Sequence, residues 1–312
     1  MSALAVIFPI FALVLAGSLV RRFGVMDARG MTELNRFVVW LALPALLFDI
    51  TAHAQFSDIW RPGFVSAYGV SVAAVFVFTV LFRLKDRPLA DATVDDLAAA
   101  YGNVGFMGFP VMAAVLGAPG LIPATIATLI SGCALFAAAV VTIETGLQME
   151  PRLLRLALKV GRSLLRNPLI VAPLAGLLAA AAGLSIPEPA EKALKMLGGT
   201  ASPCALITIG LFLGARVEGS DRRAPDEAAV TAALVALKLV LQPTIALGVA
   251  MALRLPSPMT RAAVLLAAMP TGTGPFMLAE FYGREARLTS KTILISTVAS
   301  AASLSACIAL AR

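Results

Sequence analysis

Long apolar runs interrupted by clusters of helix-breaking residues constrain this chain more than any other feature. One cluster is Gly102-Asn103-Val104-Gly105-Phe106-Met107-Gly108-Phe109-Pro110, and the other is Pro270-Thr271-Gly272-Thr273-Gly274-Pro275. A helix broken at either place would expose backbone N–H and C=O groups that hydrocarbon cannot satisfy. Such a break persists only where protein packs around it or where it lines a cavity. A single break has a plain alternative, a Gly/Pro kink that lets neighbouring helices pack closely. A matched pair of breaks favours the cavity.

Composition sets the medium. The 312 residues are 59% hydrophobic and 14% charged, with a mean hydropathy of +0.90. Soluble domains carry about 25% charge, so this chain reads as an integral membrane protein. A span needs roughly 20 mostly apolar residues. By that measure ten segments are expected, at 3–20, 35–52, 63–82, 97–118, 121–143, 167–185, 193–215, 228–253, 262–281 and 289–311. The first is read as a retained helix and not a leader, because no Lys or Arg precedes Arg21. Cys133, Cys204 and Cys307 all lie in apolar runs and read as small buried hydrophobes. With His53 the only histidine, no metal site or cofactor is expected, and acid–base catalysis has little to work with.

The net charge of +7 is distributed by topology and does not form a nucleic-acid surface. Arg21, Arg22 and Arg29 follow segment 1; Arg83, Lys85 and Arg87 follow segment 3; Arg152, Arg155, Lys159, Arg162 and Arg166 follow segment 5. Arg216, Arg222 and Arg223 follow segment 7, and Arg284, Arg287 and Lys291 follow segment 9. The opposite side holds only Arg61, Lys192, Lys195, Arg254, Arg261 and Arg312. The positive-inside rule then puts the loops after odd-numbered segments in the cytoplasm and both termini outside.

The chain also repeats itself. Pro9, Gly17, Gly24 and Pro44 return 159 residues later as Pro168, Gly176, Gly183 and Pro203, without a gap. Phe109-Pro110 is matched 160 residues later by Met269-Pro270. Each copy holds five segments, and an odd number sends the second copy through the membrane upside down. The expected fold is therefore all-α, with ten transmembrane helices as two inverted five-helix repeats, over 1–145 and 167–312. The basic stretch 146–166 joins them as a cytoplasmic connector. Inverted repeats with interrupted helices are a common architecture of secondary transporters.

At this point the chain resembles the auxin efflux carrier family. The matching stretches are Tyr101 to Pro110, Pro270 to Glu280, Leu43-Pro44-Ala45-Leu46-Leu47-Phe48 and Leu294-Ile295-Ser296-Thr297. They occur in the family's order across essentially the whole chain. A long hydrophilic central loop, present in plant members, is missing, so the chain is similar to the compact bacterial branch of malonate or related carboxylate carriers in the inner membrane. The resemblance implies a scaffold from 1–60 and 167–216 that dimerises, and a transport domain from 62–145 and 226–312. It further implies that segments 4 and 9 cross at their broken centres, that substrate binds beside the crossing, and that the transport domain moves like an elevator.

The residues at such a crossing suit an anion. Bare N–H groups at half-helix starts favour a carboxylate. Gly105, Gly108, Gly272 and Gly274 let backbone come close to a ligand, and Pro110, Pro270 and Pro275 restart helices. Asn103 supplies an amide, and Thr271 and Thr273 supply hydroxyls. Lys238, four residues before Gln242, either draws in the anion or pairs with an acid; alternatively it snorkels to the interface. The acids Asp49, Glu144 and Glu280 fall near segment ends and read as solvated or interfacial, with a proton relay as the lesser alternative. With no acid at the breaks, sodium is a poor fit. A carrier of a small organic anion is the reading that follows; a sodium-coupled carrier of the bile acid symporter type and a ligand sensor without flux are the alternatives.

Overall fold

The computed structural model describes residues 3–53, 61–147, 158, 161–162, 165–166, 168–214, 225–284 and 286–310. Among them the chain is helical throughout, apart from one isolated two-residue bridge. The helices are α1 (Ala3–Arg22), α2 (Ala28–Ala52), α3 (Pro62–Arg83), α4 (Leu89–Ala100), α5 (Val104–Leu116) and α6 (Ala118–Leu147). After them come α7 (Pro168–Ala181), α8 (Glu188–Gly214), α9 (Glu227–Ala252), α10 (Ser257–Ala267), α11 (Gly274–Phe281) and α12 (Ala286–Leu310). Six described helices are long and apolar enough to cross a membrane: α2, α3, α6, α8, α9 and the body of α12. Many of their apolar side chains face outward, among them Leu81, Phe82 and Val298, which a chain surrounded by lipid requires. The connector expected over 146–166 lies largely outside the described residues.

Two of the expected segments are corrected. The segment expected at 97–118 consists of α4 and α5, and it starts at Leu89 with Pro88 as its cap. Asp95 and Asp96, which fall between the expected segments at 63–82 and 97–118, lie inside α4 and are buried. The segment expected at 262–281 consists of α10 and α11, with residues 268–273 between them.

The chain forms two compact units, one of residues 1–61, 105–125 and 165–221, the other of 62–104, 126–164 and 222–312. In the first, α1 lies on the second half of α8 at van der Waals limit. A β-carbon on Gly17 would fall 2.2 Å from the Ile207 carbonyl oxygen, and one on Gly210 would fall 2.0 Å from that of Val14. In the same unit α7 lies on α2, where a β-carbon on Gly176 would fall 2.6 Å from the Phe48 carbonyl oxygen and 2.2 Å from Thr51 Oγ1. Adding 159 to Phe48 and Thr51 gives Ile207 and Gly210, so the two contacts match residue for residue.

The helix ends match too. Gly24 after α1 and Gly183 after α7 have φ of 71° and 62°. Val25 N–H donates to Val20 O and Gly24 N–H to Arg21 O; Leu184 N–H donates to Ala179 O and Gly183 N–H to Ala180 O. Both ends are Schellman turns, which need the left-handed conformation that glycine adopts freely.

In the second unit α4 is the helix most enclosed by its neighbours. Residues 90 and 92–100 are all buried, and alanine fills half of them, which lets α3, α6, α9, α11 and α12 pack against it. Gly146 of α6 sits on the start of α4; a β-carbon there would fall 2.9 Å from Ala90 N.

Gly17→Leu and Gly210→Leu should each cost about 3 kcal/mol or abolish folding, because only backbone could move aside. Gly199→Ala, which meets nothing within 4 Å, should leave the protein unchanged. Thermal melting in detergent separates the two outcomes.

Candidate functional site

The two broken stretches satisfy each other. α4 ends as Tyr101 turns extended (φ −80°, ψ 100°), and Gly102 then forms an antiparallel bridge with Thr271. Asn103 N–H donates to Pro270 O at 2.7 Å, and Gly272 N–H donates to Tyr101 O at 3.0 Å. Thr271 N–H reaches Ser296 Oγ of α12 at 3.1 Å, and Thr271 Oγ1 donates to Ala98 O at 2.7 Å. Groups that lipid could not satisfy, at several kcal/mol each, thus find partners inside the protein. Proline at 270 costs nothing here, since the bridge uses its carbonyl and not the N–H it lacks.

Glycine serves close packing at this bridge. A β-carbon on Gly272 would lie 3.0 Å from the Tyr101 ring, and one on Gly274 2.8 Å from Tyr101 Cζ. The space these glycines open is taken by Tyr101, whose part in the site was missed from sequence although it stands directly before Gly102. Gly102 faces Lys238, whose Nζ would lie in ordinary van der Waals contact with a β-carbon there, at 3.5 Å.

Lys238 is fully buried, so the snorkelling reading is overturned. It forms no ion pair among the described residues. Its Nζ donates to Gln242 Oε1 at 2.6 Å and to the Ala267 carbonyl, the last of α10, also at 2.6 Å. A helix carboxyl end carries partial negative charge, so the ammonium is held by dipoles. Gln242 Nε2 is buried with no partner, and one Lys238 N–H is left over after its two bonds. The Asn103 side chain is 4% exposed and its amide makes no hydrogen bond among the described residues. Polar hydrogens without acceptors thus gather near one bridge.

The comparisons with known proteins decide the class. A family model described as membrane transport protein matches residues 2–308. A putative malonate transporter of Rhizobium meliloti is 30% identical over 98% of this chain and 95% of its own length. Auxin efflux carrier component 8 of Arabidopsis thaliana is 29% identical over 45% of this chain and 38% of its own. An uncharacterized transporter, YfdV of Escherichia coli K12, is 24% identical over 94% and 92%. The chain belongs to the membrane transport protein family, that of the auxin efflux carriers. It is a multi-pass membrane transport protein and not an enzyme.

The expected site residues divide between the two compact units. Asn103, Pro270, Thr271, Gly272, Thr273, Gly274, Pro275, Lys238 and Gln242 share the second compact unit. Gly105, Gly108 and Pro110 belong to the first. Thr271 spends its hydroxyl proton on Ala98 O. Thr273 is half-buried and Pro275 buried. Glu144 is not solvated: it is 1% exposed and accepts from Tyr282 OH at 2.7 Å. The side chain of Glu280 lies outside the described residues.

Gly274→Ala should lower the melting temperature by driving a methyl into the Tyr101 ring, at a cost of about 1–3 kcal/mol. Combining it with Tyr101→Leu should recover part of the loss, giving a non-additive double-mutant cycle in thermal unfolding.

Proposed function

We propose that this transporter carries a small organic anion across the cytoplasmic membrane by alternating access. The ligand is a mono- or dicarboxylate, malonate-like or auxin-like, held at the crossing of the two broken helices. One observation carries this reading: the only charged side chain at the crossing is Lys238, an ammonium that is fully buried and without an ion pair among the described residues. A buried cation lacking a counter-charge is costly, and a carboxylate ligand supplies one. Asn103 and Gln242 Nε2 add neutral donors. The names of the relatives, a putative malonate transporter and an auxin efflux carrier, fit the same chemical class.

The architecture we propose for it has ten crossings. α4 with α5 and α10 with α11 count as one crossing each, and α1 and α7 join the six long helices. The paired contacts and paired helix ends at an offset of 159 residues support two inverted five-helix repeats. The two compact units support a division into a scaffold, from 1–60 and 167–216, and a moving transport domain, from 62–145 and 226–312. Residues 105–125, within the proposed transport domain, cluster with the first unit. We place the protein in the inner membrane with both termini outside, as a homodimer through the scaffold.

Purified protein in liposomes should take up radiolabelled malonate saturably, with competition from other small carboxylates and none from cations. Asn103→Ala should slow uptake by about tenfold or more, the equivalent of one hydrogen bond to a charged group, with an unchanged melting temperature. Wild-type uptake preserved in that variant removes Asn103 from the site. Malonate binding with no flux would make the protein a sensor.

A further inference from the structure

Asp96 is the one carboxyl group among the described residues that is fully buried with neither oxygen hydrogen-bonded. Its neighbour Asp95 is treated in the opposite way. Asp95 Oδ2 accepts from Arg83 Nε at 3.0 Å, from Arg83 Nη2 at 2.9 Å and from Arg87 Nη1 at 3.2 Å. Successive residues on a helix point about 100° apart, so the arginines that serve Asp95 do not serve Asp96. The other charged groups around α4 are also taken. Arg284 pairs with Asp91 at 3.3 Å, Arg287 and Lys291 of α12 pair with Glu227 of α9, and Lys238 is held by Gln242 and Ala267 O. Tyr68 of α3 bonds Ser131, and Glu144 of α6 takes the Tyr282 hydroxyl.

An ionised carboxylate cannot persist at full burial with no hydrogen bond and a second carboxylate beside it. We propose that Asp96 is a proton-binding site of the transport cycle, neutral in the conformation described here and ionised when water reaches α4. In the step we assign, an Asp96 oxygen forms an O–H bond with a proton taken from hydronium on one side. That bond breaks to water on the other side, leaving a carboxylate. No electron is transferred and no other reactant is needed. This inference rests on the alternating-access reading above, since a group sealed permanently would never exchange its proton.

Two measurements test it. Isotope-edited infrared spectra of protein labelled with carbon-13 aspartate should show the carbonyl stretch of a neutral carboxylic acid at neutral pH. Asp96→Asn should remove that band while the melting temperature stays near wild type. A band that survives in the variant, or is absent from the wild type, overturns the proposal without touching the malonate reading. In liposomes, uptake of labelled malonate driven by a pH gradient should fall in Asp96→Asn to the leak of protein-free vesicles. Malonate–malonate exchange, which needs no net proton movement, should be retained. Asp96→Glu, which keeps a titratable group, should restore gradient-driven uptake. Equal loss of exchange and gradient-driven uptake in Asp96→Asn, or a sodium gradient that substitutes for the proton gradient in the wild type, overturns it. Wild-type vesicles that move no malonate strike down the substrate reading alone, and the infrared band then decides for or against the proton site.

Discussion

The structure depends on a backbone exchange between two chain breaks. Asn103 N–H to Pro270 O and Gly272 N–H to Tyr101 O close a two-residue bridge between stretches far apart in the chain. Neither stretch could sit in hydrocarbon alone, because each interrupts the helical ladder that a membrane span requires. Together they are the smallest piece of sheet that can replace the missing turns. The requirement reaches outward from there. α4 must be rich in alanine to bring its end to the bridge, Gly272 and Gly274 must be bare to admit the Tyr101 ring, and Ser296 must stand ready for Thr271 N–H.

The second unit meets the problem of buried charge in three different ways. Asp95 is answered by full charges, the two guanidinium groups of Arg83 and Arg87. Lys238 is answered by dipoles, an amide oxygen and the carboxyl end of α10. Asp96 is answered by no hydrogen-bond partner among the described residues. This gradation runs from a structural ion pair, through an amine held by two neutral acceptors, to a carboxyl group with no partner among the described residues. Environments that differ this much between adjacent carboxyl groups are how one helix separates a fixed role from a reversible one.

Much of this was legible in the residues. Glycine and proline in apolar runs mark the breaks because no other residues interrupt a span so cheaply, and the offset of 159 residues located Gly17, Gly24, Gly176 and Gly183 before their contacts were known. Three things were not legible. Hydropathy could not see that α4 begins at Leu89, since Asp91, Asp95 and Asp96 make its first half look like loop. Only tertiary pairing with Arg83 and Arg87 makes Asp95 tolerable there. The direction of the Lys238 side chain was equally hidden, because the acceptor that holds it, Ala267 O, belongs to a helix 29 residues away in sequence. Tyr101 was passed over because its neighbours, not its own chemistry, give it a place.

The duplicated seams of the first unit have parted company at one position. Where α1 meets α8 the partner of Gly17 is Gly210; where α7 meets α2 the partner of Gly176 is Thr51, which folds its hydroxyl back onto Leu47 O at 2.8 Å and Phe48 O at 3.2 Å. One seam is backbone against backbone, and the other has let in a side chain. The two seams, though related by one offset, are therefore not interchangeable parts. Transplanting α2 residues into the matching stretch of α8 would bring a threonine to a place where even a methyl has no room. The exchange is barred in that direction by backbone, since a β-carbon at Gly210 already falls 2.0 Å from the Val14 carbonyl oxygen.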